Sequence, residues 1–238
     1  MAGPVQTEAV VLRSIRYGEA DRILHLYTPG RGRIGAIAKG SRRARSRFGG
    51  RLEPFFRLRL DLHEGRSDLM TVTGAQTISP YAGLREDPDA LDAAARGCDA
   101  VSRLFDSGEP HPEVFNLLCT FLAVLDEDPG RSGHALQVAF RLKLLLAAGL
   151  APQLGRCARC GAPEGLVGFA PAAGGVVCGA CEAGSFALDE ESHRFLTVAM
   201  GTPLSELPDA PGPVVTLAGR AVEETAAHHG HVRLRPAA

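Results

Sequence analysis

The chain has 238 residues, of which 45% are apolar and 22% charged, and it carries a formal net charge of -1. This length allows one or two domains that bury a core without disulfides, and the composition is that of an ordinary globular protein. The near-zero net charge predicts no overall attraction to nucleic acid or to a membrane surface.

The start of the chain shows no targeting signal, since it lacks the basic and apolar regions of a signal peptide. The longest strongly apolar run, Leu144 to Ala151, is far shorter than the ~20 residues that cross a bilayer. We therefore expect a cytoplasmic protein without a membrane partner. Thiols stay reduced in that compartment, which favours metal ligation or redox chemistry over disulfides for paired cysteines.

Residues 4 to 80 are predicted to form five short strands separated by glycine-containing turns. Alternation with period two is typical of half-buried strands. It is clearest in Phe55 to His63, where Leu58, Leu60 and Leu62 alternate with polar residues. A small barrel or sandwich is expected. The predicted strands are Thr7 to Arg13, Asp21 to Thr28, Arg33 to Lys39, Phe55 to His63 and Leu69 to Ile78.

Beyond Pro80 the apolar residues recur at steps of three and four, which predicts amphipathic helices. Asp189 is a candidate N-cap for a helix near 190 to 200. The predicted fold class is α+β, with a β domain at 1 to 80 and a helical domain at 81 to 238 that contains a cysteine element at about 155 to 184. The other predicted helices cover Leu91 to Phe105, Val114 to Leu125, Leu136 to Leu145 and about 216 to 229.

Four cysteines in the cysteine element form two Cys-x2-Cys pairs separated by seventeen residues. Two such turns supply the tetrahedron of sulfurs that a structural zinc ion needs, at about 2.3 Å from the metal. A redox pair or four core thiols are weaker alternatives, because two pairs match and the stretch has little apolar periodicity. A filled shell also argues against a catalytic zinc. The predicted ligands of one structural zinc are Cys157, Cys160, Cys178 and Cys181.

Cys98 and Cys119 lie on helix patterns and are interpreted as core thiols. His228, His229 and His231 are interpreted as exposed residues at the end of the last helix rather than as metal ligands. The chain has no phosphate-binding loop motif and no H-E-x-x-H motif, and its acids at 189 to 191 have a capping explanation. We therefore expect a protein that is not an enzyme.

The stretch from Arg31 to Arg59 carries a net charge of +9, whereas the rest of the chain carries -10. This asymmetry favours nucleic-acid binding over a merely solvated loop, because the stretch is rich in arginine and lies in the predicted barrel. Phe48 is the preferred base-stacking candidate, whereas Phe55 and Phe56 are assigned to the barrel core. The predicted contacts are Arg31, Arg33, Lys39, Arg42, Arg43, Arg45, Arg47 and Arg51.

Together these features resemble the RecO family of bacterial recombination proteins, over nearly the whole chain. The segments that carry the resemblance are Glu8 to Arg13, Gly18 to Ile23, Ala38 to Gly40 with Arg42 and Arg43, Arg51 to Phe55, and the cysteine pairs preceded by Leu150-Ala151-Pro152. The cysteines place the chain with the zinc-containing branch of the family.

The resemblance implies an OB-fold at the N-terminus and a helical domain around the zinc element. It implies binding of single- and double-stranded DNA, annealing of complementary strands and, with RecR, RecA loading onto DNA coated by single-stranded-DNA-binding protein. That coating protein and RecF are further expected partners, and a location at the nucleoid follows. Lys39, Arg42 and Arg43 match the basic stretch of the family's OB-fold. An RNA-binding zinc-ribbon protein and a zinc-containing nucleic-acid hydrolase remain alternatives.

Overall fold

A computed structural model describes residues 3–65 and 67–235. Contacts divide the chain into two compact units, Met1–Pro129 and Gly130–Ala238. The boundary predicted at residue 80 falls between the last strand and the first long helix of the first unit. Among the residues that the structure describes, no helix combines the length and the apolar character needed to span a membrane.

The first unit contains a closed five-stranded barrel with the strand order β1-β2-β3-β5-β4. Only β3 and β5 pair in parallel; the other neighbours are antiparallel. This confirms the five predicted strands and the OB-type fold. The strands are β1 (Pro4–Tyr17), β2 (Asp21–Thr28), β3 (Gly32–Ala38), β4 (Arg57–His63) and β5 (Met70–Ser79).

Strand β1 is longer than predicted because it serves two neighbours. Its first half pairs with β4, from Pro4 opposite His63 to Val10 opposite Arg57, and its second half pairs with β2. A bulge between Val11 and Arg13 bends the strand where the partner changes. One strand can therefore close both sides of the barrel.

The barrel interior is filled by the leucines that the alternation predicted. Leu58, Leu60 and Leu62 of β4 are buried in one cluster with Leu24 and Leu26 of β2. Each such side chain contributes about 1.5–3 kcal/mol by leaving water. Strand β4 begins at Arg57 rather than at Phe55, because Phe55 has a φ of 73°, outside the extended region.

Helices α1 (Pro88–Leu104) and α2 (Pro112–Glu127) complete the first unit. The side chain of Asp87 caps α1 by accepting a hydrogen bond from the Ala90 N–H at 2.8 Å. Cys98 and Cys119 are buried on these helices, which confirms their assignment as core thiols. Burial raises the pKa of Cys119 to about 11, so this thiol stays protonated and unreactive at neutral pH.

The second unit combines helices with a small sheet. Helix α5 packs against α3 and α4, and the sheet has the order β7-β6-β8. Asp189 caps α4 as predicted, by accepting from the Ser192 N–H at 2.7 Å. The sheet was not predicted. The elements are α3 (His134–Ala147), β6 (Leu166–Ala170), β7 (Gly175–Cys178), β8 (Phe186–Ala187), α4 (Glu190–Gly201) and α5 (Gly212–His229).

Candidate metal centre and nucleic-acid interface

The four cysteines of the two Cys-x2-Cys pairs meet in space. Their Sγ atoms all lie within 4.8 Å of one another, and the Sγ atoms of Cys160 and Cys178 are 3.6 Å apart. Four sulfurs bound at about 2.3 Å to one tetrahedral ion stand about 3.8 Å apart. The cluster formed by Cys157, Cys160, Cys178 and Cys181 therefore fits one metal ion, as the spacing predicted.

Two tight turns aim these sulfurs at one point. In the first turn, the Gly161 N–H donates to the Cys157 carbonyl at 2.9 Å, and Gly161 has the left-handed φ of 80° that glycine adopts without strain. In the second, β7 ends at Cys178 and a single 3₁₀ turn, Gly179–Cys181, brings the last sulfur back. The sheet positions both turns, because Leu166 of β6 pairs with Cys178 and the Ala158 N–H of the first turn donates to the Val176 carbonyl of β7 at 2.8 Å.

The electrostatics of the cluster suit a bound cation. N–H groups of Cys160 and Cys178 point at the Cys157 sulfur and lower the pKa of Cys157 to about 6. The Cys160 sulfur, in turn, raises the pKa of Cys181 to about 12. Four thiolates at this separation repel one another unless a positive ion lies between them. An all-sulfur set suits a thiophilic ion, and four ligands leave no open position for catalysis.

Around the cluster the apolar core is small. It consists of Ala170, Val177 and two of the cysteines themselves, Cys157 and Cys178. Arg159 adds a link between the two turns, because its Nη1 donates to the Cys181 carbonyl at 2.7 Å. The candidate metal ligands are therefore half of the buried residues in this small core.

The predicted nucleic-acid contacts lie in the turn before β3, on β3 and on the loop that joins β3 to β4, and the structure sorts them into two groups. Arg31 forms an ion pair with Glu64 at 3.3 Å, and Arg33 donates to the Ser102 hydroxyl of α1 at 3.1 Å. These two residues are partly buried, which distinguishes them from the rest. The exposed members are Lys39, Arg42, Arg43, Arg45, Arg47 and Arg51.

The exposed cations follow a loop with a defined backbone. The Arg42 N–H donates to the Ala20 carbonyl at 2.9 Å, and the Gly40 N–H donates to the Asp21 carboxylate at 2.7 Å. These bonds attach the loop to the turn between β1 and β2. We call residues 39–51 the basic loop. Its cations are thus displayed on an ordered part of the barrel rather than on a free chain.

The single acid in the basic stretch, Glu53, does not neutralise the positive charge of the basic loop. Glu53 forms an ion pair at 2.8 Å with Arg22 of β2. Sequence reasoning missed Arg22, which lies outside the basic stretch and is brought there by the pairing of Arg22 with Ala38. The loop therefore keeps its positive charge unopposed by its own carboxylate.

The interpretation of Phe48 as an exposed stacking residue is wrong. Its side chain is only 1% exposed and lies in the barrel core with Leu52. Phe48 and Leu52 therefore turn into the barrel core, while the arginines around them stay exposed. The Arg47 guanidinium lies over the Phe48 ring at 4.9 Å. Phe56 packs against the same core, as predicted.

Comparison with known proteins gives the family. A family model described as "Recombination protein O N terminal" matches residues 1–81, and one described as "Recombination protein O C terminal" matches residues 85–233. The chain belongs to the RecO family.

Individual relatives agree. The DNA repair protein RecO of Anaeromyxobacter dehalogenans (strain 2CP-C) is 41% identical over 201 residues, which cover 83% of this chain and 76% of that protein. The DNA repair protein RecO of Rubrobacter xylanophilus is 45% identical over 179 residues, which cover 74% and 71% of the two chains. The Nocardioides protein of the same name is 42% identical over 179 residues, covering 73% and 72%. The family resemblance seen in the sequence is confirmed.

Proposed function

We propose that this protein is a DNA-binding recombination mediator in DNA repair, acting in the RecF pathway. It binds single- and double-stranded DNA, anneals complementary strands and, with RecR, assists RecA loading onto DNA coated by single-stranded-DNA-binding protein. Membership of the RecO family supports this role. The structural observation that carries it is the basic loop, which displays Lys39, Arg42, Arg43 and Arg45 on an OB-type barrel.

Annealing brings two polyanions together, and cations on a protein surface reduce their repulsion. Lys and Arg neutralise phosphates and release counterions, which gives binding that depends strongly on salt and little on base sequence. Neither DNA binding nor annealing needs nucleotide hydrolysis, in keeping with a sequence that has no phosphate-binding loop motif. The proposed activity is therefore binding and annealing rather than catalysis.

The metal proposed for the four-cysteine cluster is one structural zinc ion. Cys157, Cys160, Cys178 and Cys181 would hold it, and zinc would supply a tetrahedral crosslink without redox chemistry. The ion orders the cysteine element, while the barrel carries the nucleic acid. Because the charge is concentrated in the basic loop, the zinc element is not assigned to reading DNA.

The proposed partners are DNA and RecR, together with single-stranded-DNA-binding protein and RecF, and the proposed location is the cytoplasm at the nucleoid. Two simple assays separate this role from its alternatives. Competition between single-stranded DNA and RNA identifies an RNA-binding protein if RNA wins. Metal-dependent cleavage of a labelled oligonucleotide identifies a hydrolase.

An annealing assay tests the proposal directly. Complementary strands are coated with single-stranded-DNA-binding protein and mixed with folded, zinc-loaded protein. We expect duplex to form faster than in the protein-free reaction, and the gain to fall as salt rises. Unchanged annealing across the range from low to physiological salt contradicts the mediator role.

A further inference from the structure

The outer face of β1, β2 and β3 carries a compact apolar patch beside the basic loop. Side chains alternate between the two faces of a strand, and directly paired residues share a face. Leu24, Ala36 and Ala38 point into the barrel core, so the residues between them point outward. The pairing places Ile15 opposite Ile23, and Ile23 opposite Ile37. These three isoleucines form one row across three strands, and all are partly exposed.

Tyr17 lies on the same face as this row, two residues beyond Ile15 at the end of β1. Its side chain is 54% exposed, the largest fraction among the exposed large hydrophobic residues of the described chain. The other two tyrosines, Tyr27 and Tyr81, are 0% and 4% exposed. A solvent-exposed aromatic ring beside apolar side chains can stack against a flat apolar partner.

Cations and one carboxylate, that of Asp21, lie around this ring. Arg42 reaches the turn that follows Tyr17, because its Nη1 donates to the Gly18 carbonyl at 3.3 Å. Lys39 directly follows Ala38, which pairs with Arg22, and Arg22 is the neighbour of Asp21, the residue paired with Tyr17. The Asp21 carboxylate is itself held by the Gly40 N–H. Arg13, two residues before Ile15, is exposed at the other end of the patch.

We infer that this patch is a platform for unpaired bases, and that Tyr17 is the stacking residue that makes the barrel favour single strands over duplex. Bases would lie on Tyr17 and the isoleucine row while their phosphates meet Lys39 and Arg42. A duplex hides its base faces and can use only the cations. The inference rests on the proposed nucleic-acid binding and adds a residue that discriminates between the two forms of DNA.

Removal of the ring should change single-strand binding alone. We expect Tyr17→Ala to weaken binding of a labelled oligothymidylate about tenfold and to leave binding of a labelled duplex of equal length within about twofold. Tyr17→Phe keeps the ring and should restore single-strand affinity. Ile78→Ala removes a 40% exposed side chain from β5 and is the matched control, expected to change neither affinity.

A spectroscopic readout reports stacking itself. The chain contains no tryptophan, so Tyr17→Trp introduces a single indole at the proposed platform. We expect oligothymidylate to quench its emission strongly and duplex to quench it little. Circular dichroism and zinc content of every variant establish that the fold is kept.

The outcomes separate this inference from the proposed function. Wild-type protein that binds neither single strand nor duplex at low salt overturns the proposed function. Wild-type protein that binds both, with Tyr17→Ala losing single-strand and duplex affinity equally or not at all, overturns only the platform. Failure of Tyr17→Phe to restore binding, or an indole that is not quenched, also overturns it.

Discussion

The barrel and the cysteine element are ordered by different physics. Among the described residues, the barrel core contains thirteen buried side chains, whereas the core around the cysteines contains four, two of which are candidate metal ligands. Burial of apolar surface stabilises the first, and the proposed metal coordination would stabilise the second. The comparison indicates that metal loss and core mutation will damage different parts of the molecule.

Loss of one metal ligand should have the largest effect. In Cys157→Ser we expect loss of stoichiometric zinc and unfolding of β6, β7 and β8, because the metal supplies on the order of 10 kcal/mol to such a site. Metal analysis and amide hydrogen exchange of the full chain measure both. The barrel amides should stay protected.

Cys119→Ala is the matched control, because this thiol is buried in the first unit and is not one of the four clustered cysteines. It should retain one equivalent of zinc. If native wild-type protein contains under half an equivalent of metal, coordination does not stabilise the cysteine element.

A cavity in the barrel should have the next largest effect. It should destabilise the barrel and leave the cysteine element intact. Leu60 is fully buried, so Leu60→Ala should lower the free energy of unfolding by about 2–5 kcal/mol. Urea unfolding monitored by circular dichroism measures this loss. Zinc content should remain at one equivalent, and a parallel loss of zinc would show that the two regions are not stabilised separately.

The basic loop can be tested without disturbing either core. Changing Arg42, Arg43 and Arg45 together to Ala should weaken single-strand binding and reduce the slope of log affinity against log salt by about two, since each phosphate contact contributes about 0.7. Fluorescence anisotropy over a salt series measures the slope. Changing Arg103, Arg194 and Arg220 to Ala removes the same charge from α1, α4 and α5. An equal slope change in both triple variants would assign the effect to net charge alone.

The smallest effect is expected at the cap of α4. Asp189→Ala should cost about 1 kcal/mol of stability, whereas Asp189→Asn should cost much less. The Ser192 N–H holds the pKa of Asp189 below its ordinary value. This contribution is complete above the unfolded pKa of about 3.9 and is lost as the pH falls through the folded value. Thermal unfolding of both variants at neutral and acidic pH checks this, and equal losses for Ala and Asn would contradict the capping role.

The barrel strands could be predicted because their alternation records which face is buried. Phe55 to His63 alternates without interruption, and β4 forms within two residues of that prediction. The cysteine cluster was equally visible, because two residues between ligands allow only a tight turn. Both are local patterns, and local patterns survive in a single sequence.

Other features depend on contacts between distant residues and left little local signal. Strands β6 to β8 are two to five residues long, so their sequence shows no clear period. Phe48 lies among arginines and glycines, and only closure of the barrel draws it inside. The isoleucine row was hidden for the same reason, since Ile15, Ile23 and Ile37 become neighbours only through the register of three strands.

The division of β1 between two partners also bears on the order in which the chain folds. The second half of β1 meets β2 after a short turn, so this hairpin can form as soon as about thirty residues are available. The first half must wait for β4, which ends at His63. Until then, residues 4–10 present unpaired backbone groups along an open edge. We therefore expect the β1–β4 pairing to limit the rate of refolding and to set the extent of transient aggregation. Substitutions at 18–20 that speed formation of the β1–β2 hairpin should change neither quantity.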